Sequence, residues 1–447
     1  MPERKIEAGG SVDVDKTFLD EVQERTFQFF WETTNPDNGL TPDRTSNPSF
    51  SSIAAVGFAL TAYGVGAERG YITRDQAAER TLTTLQFFLN SDKGSEAAGV
   101  TGYKGFFYHF LDMNTGHRYQ NTELSTIDTS LLMAGVLFAQ SYFDRDEATE
   151  NHIRMYADSL YRQMDWGWFT DDQGYVMMGW RPGSGFTQAK WQGYNEAMIL
   201  YILALGSPTH PLSRESWEAW TSTYRWDTFY GYDFVQFSPL FGHQYSHIWI
   251  DFRGIQDAYM RSKGIDYFEN SRRATYAQRA YAMDNPMGWK GYSENIWGLT
   301  PCDGPAGITR EVNGEERRFR TYWARGASKG DIRDDGTIAP TAAGGSMPFA
   351  PEICAPALKA MHNQYGDLLF TRYGFLDAFN PTFTFTDATL QRGSIDPGRG
   401  WGDDNYLGID QGPILLMIEN YRTGFVWEVM KRSPYIRAGL KKAGFSG

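Results

Sequence analysis

Two kinds of helical window alternate along the chain. In the first, apolar residues recur at the three- and four-residue spacing of a half-buried helix and charges fill the remaining positions: Asp15 to Trp31, Thr73 to Asn90, Asn151 to Met164, Ser213 to Tyr224 and Tyr267 to Met283. Thr73 with Gln76 forms a capping-box pattern, and Ser213 stands where an N-cap is expected. The second kind is nearly free of charge, rich in small residues, and opens on polar groups. It comprises SSIAAVGFALTAYGVG from Ser51, STIDTSLLMAGVLFAQSYF from Ser125, WQGYNEAMILYILALG from Trp191, SHIWIDFRGIQDAYM from Ser246, FAPEICAPALKAMH from Phe349 and GIDQGPILLMIENY from Gly408. A helix apolar nearly all round is covered on more than one side, whereas an amphipathic one keeps a face in water. The alternation predicts an all-α fold, an (α/α)6 toroid of six inner and six outer helices, with long rim loops and short β-hairpins; YVMMGW is the best hairpin run.

Inner helices that run in one direction bring their first turns to one end of the barrel. Asp128, Glu196, Asp251, Glu352 and Asp410 all stand near such starts. The helix macrodipole favours a carboxylate there by ~0.3–1 kcal/mol, but an outer helix would serve it equally well. Their concentration on the apolar helices instead predicts a shared cavity lined by acids. The longest connection, Asp284 to Ala350, is rich in Gly and Pro yet carries Trp289, Trp297 and Phe349, which do not favour solvent. It reads as a functional excursion on the rim rather than a linker. The expected organisation is a tail over 1–15 and one catalytic domain over 16–447.

Composition narrows the ligand. With 54 acidic against 42 basic residues, the surface repels nucleic acid and anionic membrane. Trp and Tyr are plentiful, at 14 and 26, which suits flat sugar faces as well as ordinary cores. The 2 cysteines, Cys302 and Cys354, exclude a disulfide framework and read as buried thiols. No apolar run is long enough to span a membrane, and the first residues lack the apolar segment of a signal peptide.

Hydrolysis of a glycosidic bond needs one carboxylic acid to protonate the leaving oxygen and a second carboxylate to handle the nucleophile. Glu196, at the mouth of a buried helix among Trp191, Tyr194 and Asn195, is the candidate acid. Desolvation there raises its pKa and the helix dipole lowers it. Glu123 and Asp128 in NTELSTIDTS are the candidates for the partner. A gap of about 6.5–9.5 Å, as inversion requires, suits carboxylates on opposite walls of a funnel better than the ~5–5.5 Å of a retaining pair. His243 and His247 have metal-ligand spacing but no third ligand to match, so no metal is expected. GSGFTQAK lacks the spacing of a phosphate loop, and no nucleophile elbow is present.

The run QYSHIWIDFRGIQDAYMRSKGIDYFENSRRAT, with YSENIWGLTPCDGP and GIDQGPILLMIENYR, resembles the bacterial glucoamylase-like domain, in particular glycoside hydrolase family 144, over about Phe18 to Arg437. That resemblance implies an (α/α)6 fold and inverting cleavage of β-1,2-glucan, by endo action or by exo release of sophorose. It carries the family's acid to Glu196 in GYNEAMI, and its earlier carboxylate cluster to Glu123 and Asp128 in TELSTID. The base stays open between these two.

The expectation is therefore an inverting hydrolase acting on β-1,2-glucan or its oligosaccharides, monomeric, without cofactor, periplasmic or secreted. Trp191, Tyr194, Tyr245, Trp297 and Trp401 are expected as sugar platforms, and Arg44, His247, Arg253, Asp410 and Gln411 as hydroxyl partners. The rivals are a transglycosylase on the same scaffold, as in cyclic glucan synthases, and a non-catalytic glucan-binding protein.

Overall fold

Serines start the first two buried helices. Ser52 accepts the amide of Ala55 at the head of helix Ile53–Arg69, and Ser125 accepts that of Asp128 at the head of helix Thr126–Tyr142. Each hydroxyl satisfies one of the donors that a helix start leaves unpaired. The two helices press together at Gly57 and Gly135. A Cβ on Gly57 would lie 2.2 Å from the Leu131 carbonyl oxygen, and one on Gly135 would lie 2.1 Å from that of Gly57. Only residues without side chains allow backbones this close. The computed structural model describes residues 12–447, so residues 1–11 of the expected tail lie outside the described residues.

The chain is built mainly of helices, joined by loops that carry strands of two to four residues. Helices Ile53–Arg69, Thr126–Tyr142, Met198–Gly206, Tyr245–Trp249 and Gly408–Thr423 are buried along most of their length. Helices Val12–Thr33, Arg74–Asn90, Ala148–Arg162, Arg214–Ser222 and Tyr267–Asp284 are the predicted amphipathic ones. Thr73 and Gln76 form the predicted capping box. Ser213 stands at the N-cap position, although its side chain makes no capping bond.

Three helix starts differ from expectation. Helix Met198–Gly206 begins after Glu196, which therefore occupies the preceding turn. Tyr245–Trp249 is a short helix, and Asp251 follows its C-terminal end rather than its start. The fifth apolar window forms helix Pro351–Tyr365, which buries one face only; the wholly buried helix in that region is Pro340–Gly344. Pro340 and Pro351 each open a helix, where the missing N–H costs nothing.

The loops pair locally. Phe50–Ser52 pairs antiparallel with Phe110–Asp112, and Leu124–Ser125 pairs with Gly179–Arg181, which turns back onto Gly185–Phe186. The predicted hairpin thus exists, placed a few residues later than YVMMGW. The excursion from Asp284 to Ala350 forms three strand pairs and shares a second small core, in which Trp289, Phe319, Phe383 and Trp401 pack together. Beneath it Arg325 and Asp335, both fully buried, are held by bonds of 2.6 and 2.8 Å. Cys302 and Cys354 are buried free thiols, as expected. Among the described residues no helix is long and apolar enough to cross a membrane.

Candidate active site

A cavity of about 630 Å³ opens where these buried helices begin. Its floor and sides include Glu196, Asp128, Tyr245 and Asp410 from the helix heads, together with Asp43, Arg44 and His109 from the loops beside them. Asp303, Tyr322 and Arg392 close it from the later excursions. Phe50, Phe110, Phe241 and Leu407 supply apolar surface.

Glu196 reaches the cavity from the turn before its helix. Ser246 donates to its carbonyl at 3.1 Å and accepts the amide of Ile199 at 3.0 Å, tying that turn to the neighbouring helix. The side chain is half-buried. Burial, with the charge of Asp128 adding to it, raises the Glu196 carboxyl to about 7. Desolvation therefore outweighs the local backbone dipoles, and the group keeps its proton into the neutral range.

Asp128 lies in the first turn of its helix, where the Ser125 hydroxyl donates to its Oδ2 and His109 Nε2 lies 3.5 Å from its Oδ1. His109 Nδ1 is 3.0 Å from Glu123 Oε1, and Arg181 donates to Glu123 Oε2 at 3.1 Å. Burial disfavours a charged imidazole, but Asp128 and Glu123 more than offset it and raise His109 to about 9. The same hydrogen bond, chiefly, lowers Glu123 to about 2. Glu123 does not line the cavity; it anchors a histidine that does. His109 carries no signal of its own in the sequence. Strand pairing brings it to Glu123, because its amide donates to the Glu123 carbonyl at 2.9 Å.

A second set of carboxylates gathers around two arginines. Arg44 Nε donates to Asp43 at 2.9 Å, and its Nη1 reaches both oxygens of Asp303 at 3.2 Å. Asn405 donates to Asp303 at 2.9 Å, and Arg392 Nε approaches it at 3.4 Å. Asp377 accepts the amide of Asp303 at 2.6 Å and lies beside Asp410. Burial, reinforced by mutual repulsion, pushes Asp377, Asp403 and Asp410 upward. Oxygens of Asp303, Asp377 and Asp403 lie within 4.8 Å of one another, a spacing that a hard cation could bridge. Arg44, Arg392 and Asn405 neutralise or occupy Asp303, whereas Asp377 Oδ1, Asp403 Oδ2 and Asp410 Oδ2 are buried without a hydrogen-bond partner. Asp43, Asp377 and Asp403 escaped the sequence reading because turn carboxylates commonly cap their own backbone.

Several expected contacts are corrected. Trp191 is buried and donates its indole N–H to Thr126 at 2.9 Å, bracing two helix heads instead of facing sugar. Tyr194 stacks on Tyr267 with centroids 6.0 Å apart, and Trp297 and Trp401 are fully buried in the two cores. His247 is buried against Ser271 at 3.1 Å, and burial followed by the nearby His243 lowers it to about 3. Gln411 is buried and donates to the Phe375 carbonyl at 2.9 Å. Arg253 lies away from the cavity, paired with Asp251 at 2.7 Å and set over the Trp427 ring. Glu352 bonds to Tyr276 and Arg272, also outside it. The aromatic that does present an exposed ring at the cavity is Tyr322.

Fold and cavity together define a helical protein whose buried helix heads converge on a carboxylate-lined cleft. A family model named Glycoamylase, described as "Putative glucoamylase", matches residues 188–434, and the chain belongs to that family. A solved structure from Bacteroides uniformis with the same description is 32% identical, covers 100% of this chain and 99% of its own, and superposes with a TM-score of 0.81. The endo-β-1,2-glucanase of Chitinophaga pinensis, solved with sophorotriose and glucose, is 29% identical over 97% of this chain and 99% of its own, with the same TM-score of 0.81. A curated relative from Parabacteroides distasonis, an exo β-1,2-glucooligosaccharide sophorohydrolase acting at the non-reducing end, is 29% identical across 96% of this chain. The chain spans 58% of the length of that relative.

Proposed function

We propose that this chain is an inverting glycoside hydrolase that cleaves β-1,2-glucan or β-1,2-linked gluco-oligosaccharides, on a single (α/α)6 domain over 16–447. The observation that carries the reading is Glu196, a carboxyl held protonated to about 7 in a cleft it shares with Asp128. The names of the Chitinophaga and Parabacteroides relatives support the linkage. In the proposed reaction Glu196 gives its proton to the glycosidic oxygen as the bond to the anomeric carbon breaks. Water attacks that carbon from the other face and passes its proton to Asp128, so one new reducing end and one new non-reducing end result. Glu123 serves the site through His109 rather than as the base.

Arg44, Asp303 and Asp410 take sugar hydroxyls, and Tyr322 offers a ring face to a pyranose; Tyr245, expected as a platform, is buried against Phe58 and Phe241 and serves as cavity wall. The chain works as a monomer without a cofactor, in the periplasm or outside the cell, where glucans of this kind are met. The test is incubation with β-1,2-, β-1,3-, β-1,4- and α-linked glucans, reading product sizes and the anomer first released. Short β-1,2 products in the inverted α configuration are expected. Longer or cyclic products at high sugar concentration would identify a transglycosylase instead, and binding without any new reducing ends would identify a non-catalytic glucan-binding protein.

A further inference from the structure

His109 is held by backbone and side-chain contacts while one side faces the cavity. Its amide donates to the Glu123 carbonyl at 2.9 Å, and its carbonyl accepts the amide of Ile53 at 3.3 Å. Its ring lies on Phe110 with centroids 3.9 Å apart and planes 25° from parallel. Nδ1 is 3.0 Å from Glu123 and Nε2 3.5 Å from Asp128. An ionised carboxylate accepts only, so the nitrogen bonded to Glu123 carries a proton, and the other nitrogen faces Asp128 at ion-pair distance, which favours a second proton there. The charged groups facing the ring are Glu123, Asp128 and, from the loop before strand Phe50–Ser52, Asp43. Arg181 stands behind Glu123, and Glu196 lies beyond Asp128.

We propose that His109 is a positioning residue: an imidazolium, charged through the neutral range, that keeps Asp128 an oriented anion and, through Asp128, keeps the proton on Glu196. Arg181, Glu123, His109 and Asp128 then alternate in sign and end at a neutral acid. The raised His109 pKa, about 9, agrees with the geometry, and its sign means that the charge persists through the neutral range and is lost only above it. Without the imidazolium, Asp128 loses the opposite charge that orients it toward the cavity, and the division between donor and acceptor blurs.

This inference rests on the roles given to Glu196 and Asp128 above, so its test has two arms. In the first, ring-nitrogen chemical shifts of His109 in the native protein are followed from pH 5 to pH 8. Both nitrogens stay protonated throughout if the inference is right, and a neutral tautomer at pH 7 overturns it. In the second, rate against pH is measured on β-1,2-glucan for wild type, His109→Gln and His109→Lys, with thermal melts confirming folding. His109→Gln should move the acid limb upward by roughly one pH unit or more. His109→Lys keeps the charge and should leave the limb near its wild-type position while turnover still falls. A merely structural histidine would lower turnover in both variants without moving the limb, and superimposable limbs for wild type and His109→Gln overturn the proposal. If wild type releases no sugar, the functional reading fails instead, and the first arm still decides the charge.

Discussion

Two groups of carboxylates meet at the cleft, and they are neutralised in opposite ways. Around Glu196 the charges alternate, Arg181 to Glu123 to His109 to Asp128, and each acid has a definite state: Glu123 held down to about 2, Glu196 held up to about 7. Around Asp303 the acids crowd together. Asp43 and Asp303 share Arg44, Asp303 also faces Arg392, and Asp377, Asp403 and Asp410 crowd beside them with Asp377 Oδ1, Asp403 Oδ2 and Asp410 Oδ2 buried without a donor. Alternation separates a proton donor from an acceptor, which is what acid–base chemistry requires. Crowding yields a dense array of donors and acceptors with no single titrating group, which suits holding hydroxyls. In the proposed function, chemistry falls to the first group and binding to the second.

The largest effects should come from breaking the first group. Glu196→Gln removes the transferable proton while keeping shape, and the rate of reducing-end release should fall by ~10²–10⁴-fold with glucan binding retained. Full activity in that variant would return the chemistry to the second group. Asp128→Asn should cost somewhat less, about 10²-fold, because water itself remains in place. The pH dependence follows from the same group. Since the Glu196 pKa is raised, the acid form is present below about 7 and is lost above it, so turnover should decline on the alkaline side of about 7. A flat profile to pH 9 would contradict the assignment.

A smaller effect, in KM rather than kcat, should follow from the second group. Arg44→Met removes bonds to Asp43 and Asp303 and a donor that lines the cavity; KM should rise about tenfold, the scale of one charge-assisted hydrogen bond. Asp43 and Asp303 would lose their partner too, so Arg44→Lys, which keeps the charge, should recover part of the loss. A fall in kcat with KM unchanged would move Arg44 into the first group.

What the sequence revealed and what it concealed divide along the same line. The buried helices that start at Ser52 and Ser125, the capping box at Thr73, and the acids Glu196 and Asp128 are legible because apolar periodicity and capping are local properties. His109 is not, since its role depends on a single antiparallel bridge between Tyr108 and Leu124 that sets it beside Glu123 and that no local pattern announces. Asp377 and Asp403 likewise matter only because distant loops converge. The aromatic platforms misled for a related reason: Trp191, Trp297 and Trp401 have the composition of a sugar site, but the ring that faces the cavity is decided by packing. Even Arg253, beside a helix expected to open into the cleft, followed that helix to its other end.

The smallest expected effect tests that last distinction. Tyr194 was read as a platform and is a core residue, 2% exposed, whose hydroxyl is buried without a hydrogen-bond partner. Burying a hydroxyl without a partner costs free energy that a phenyl ring does not, so Tyr194→Phe should leave stability unchanged or raise it by up to ~1 kcal/mol. The ring itself must stay, because it fills the space beside Tyr267, Tyr224 and His243. Kinetics discriminate more sharply than the melt. A sugar platform that bonds a hydroxyl through its phenol would show a raised KM in Tyr194→Phe, whereas a core ring shows wild-type KM and kcat. Tyr322→Ala at the exposed ring should raise KM, and only if both variants behave this way do the cavity walls, rather than the aromatic content of the chain, define where the glucan lies.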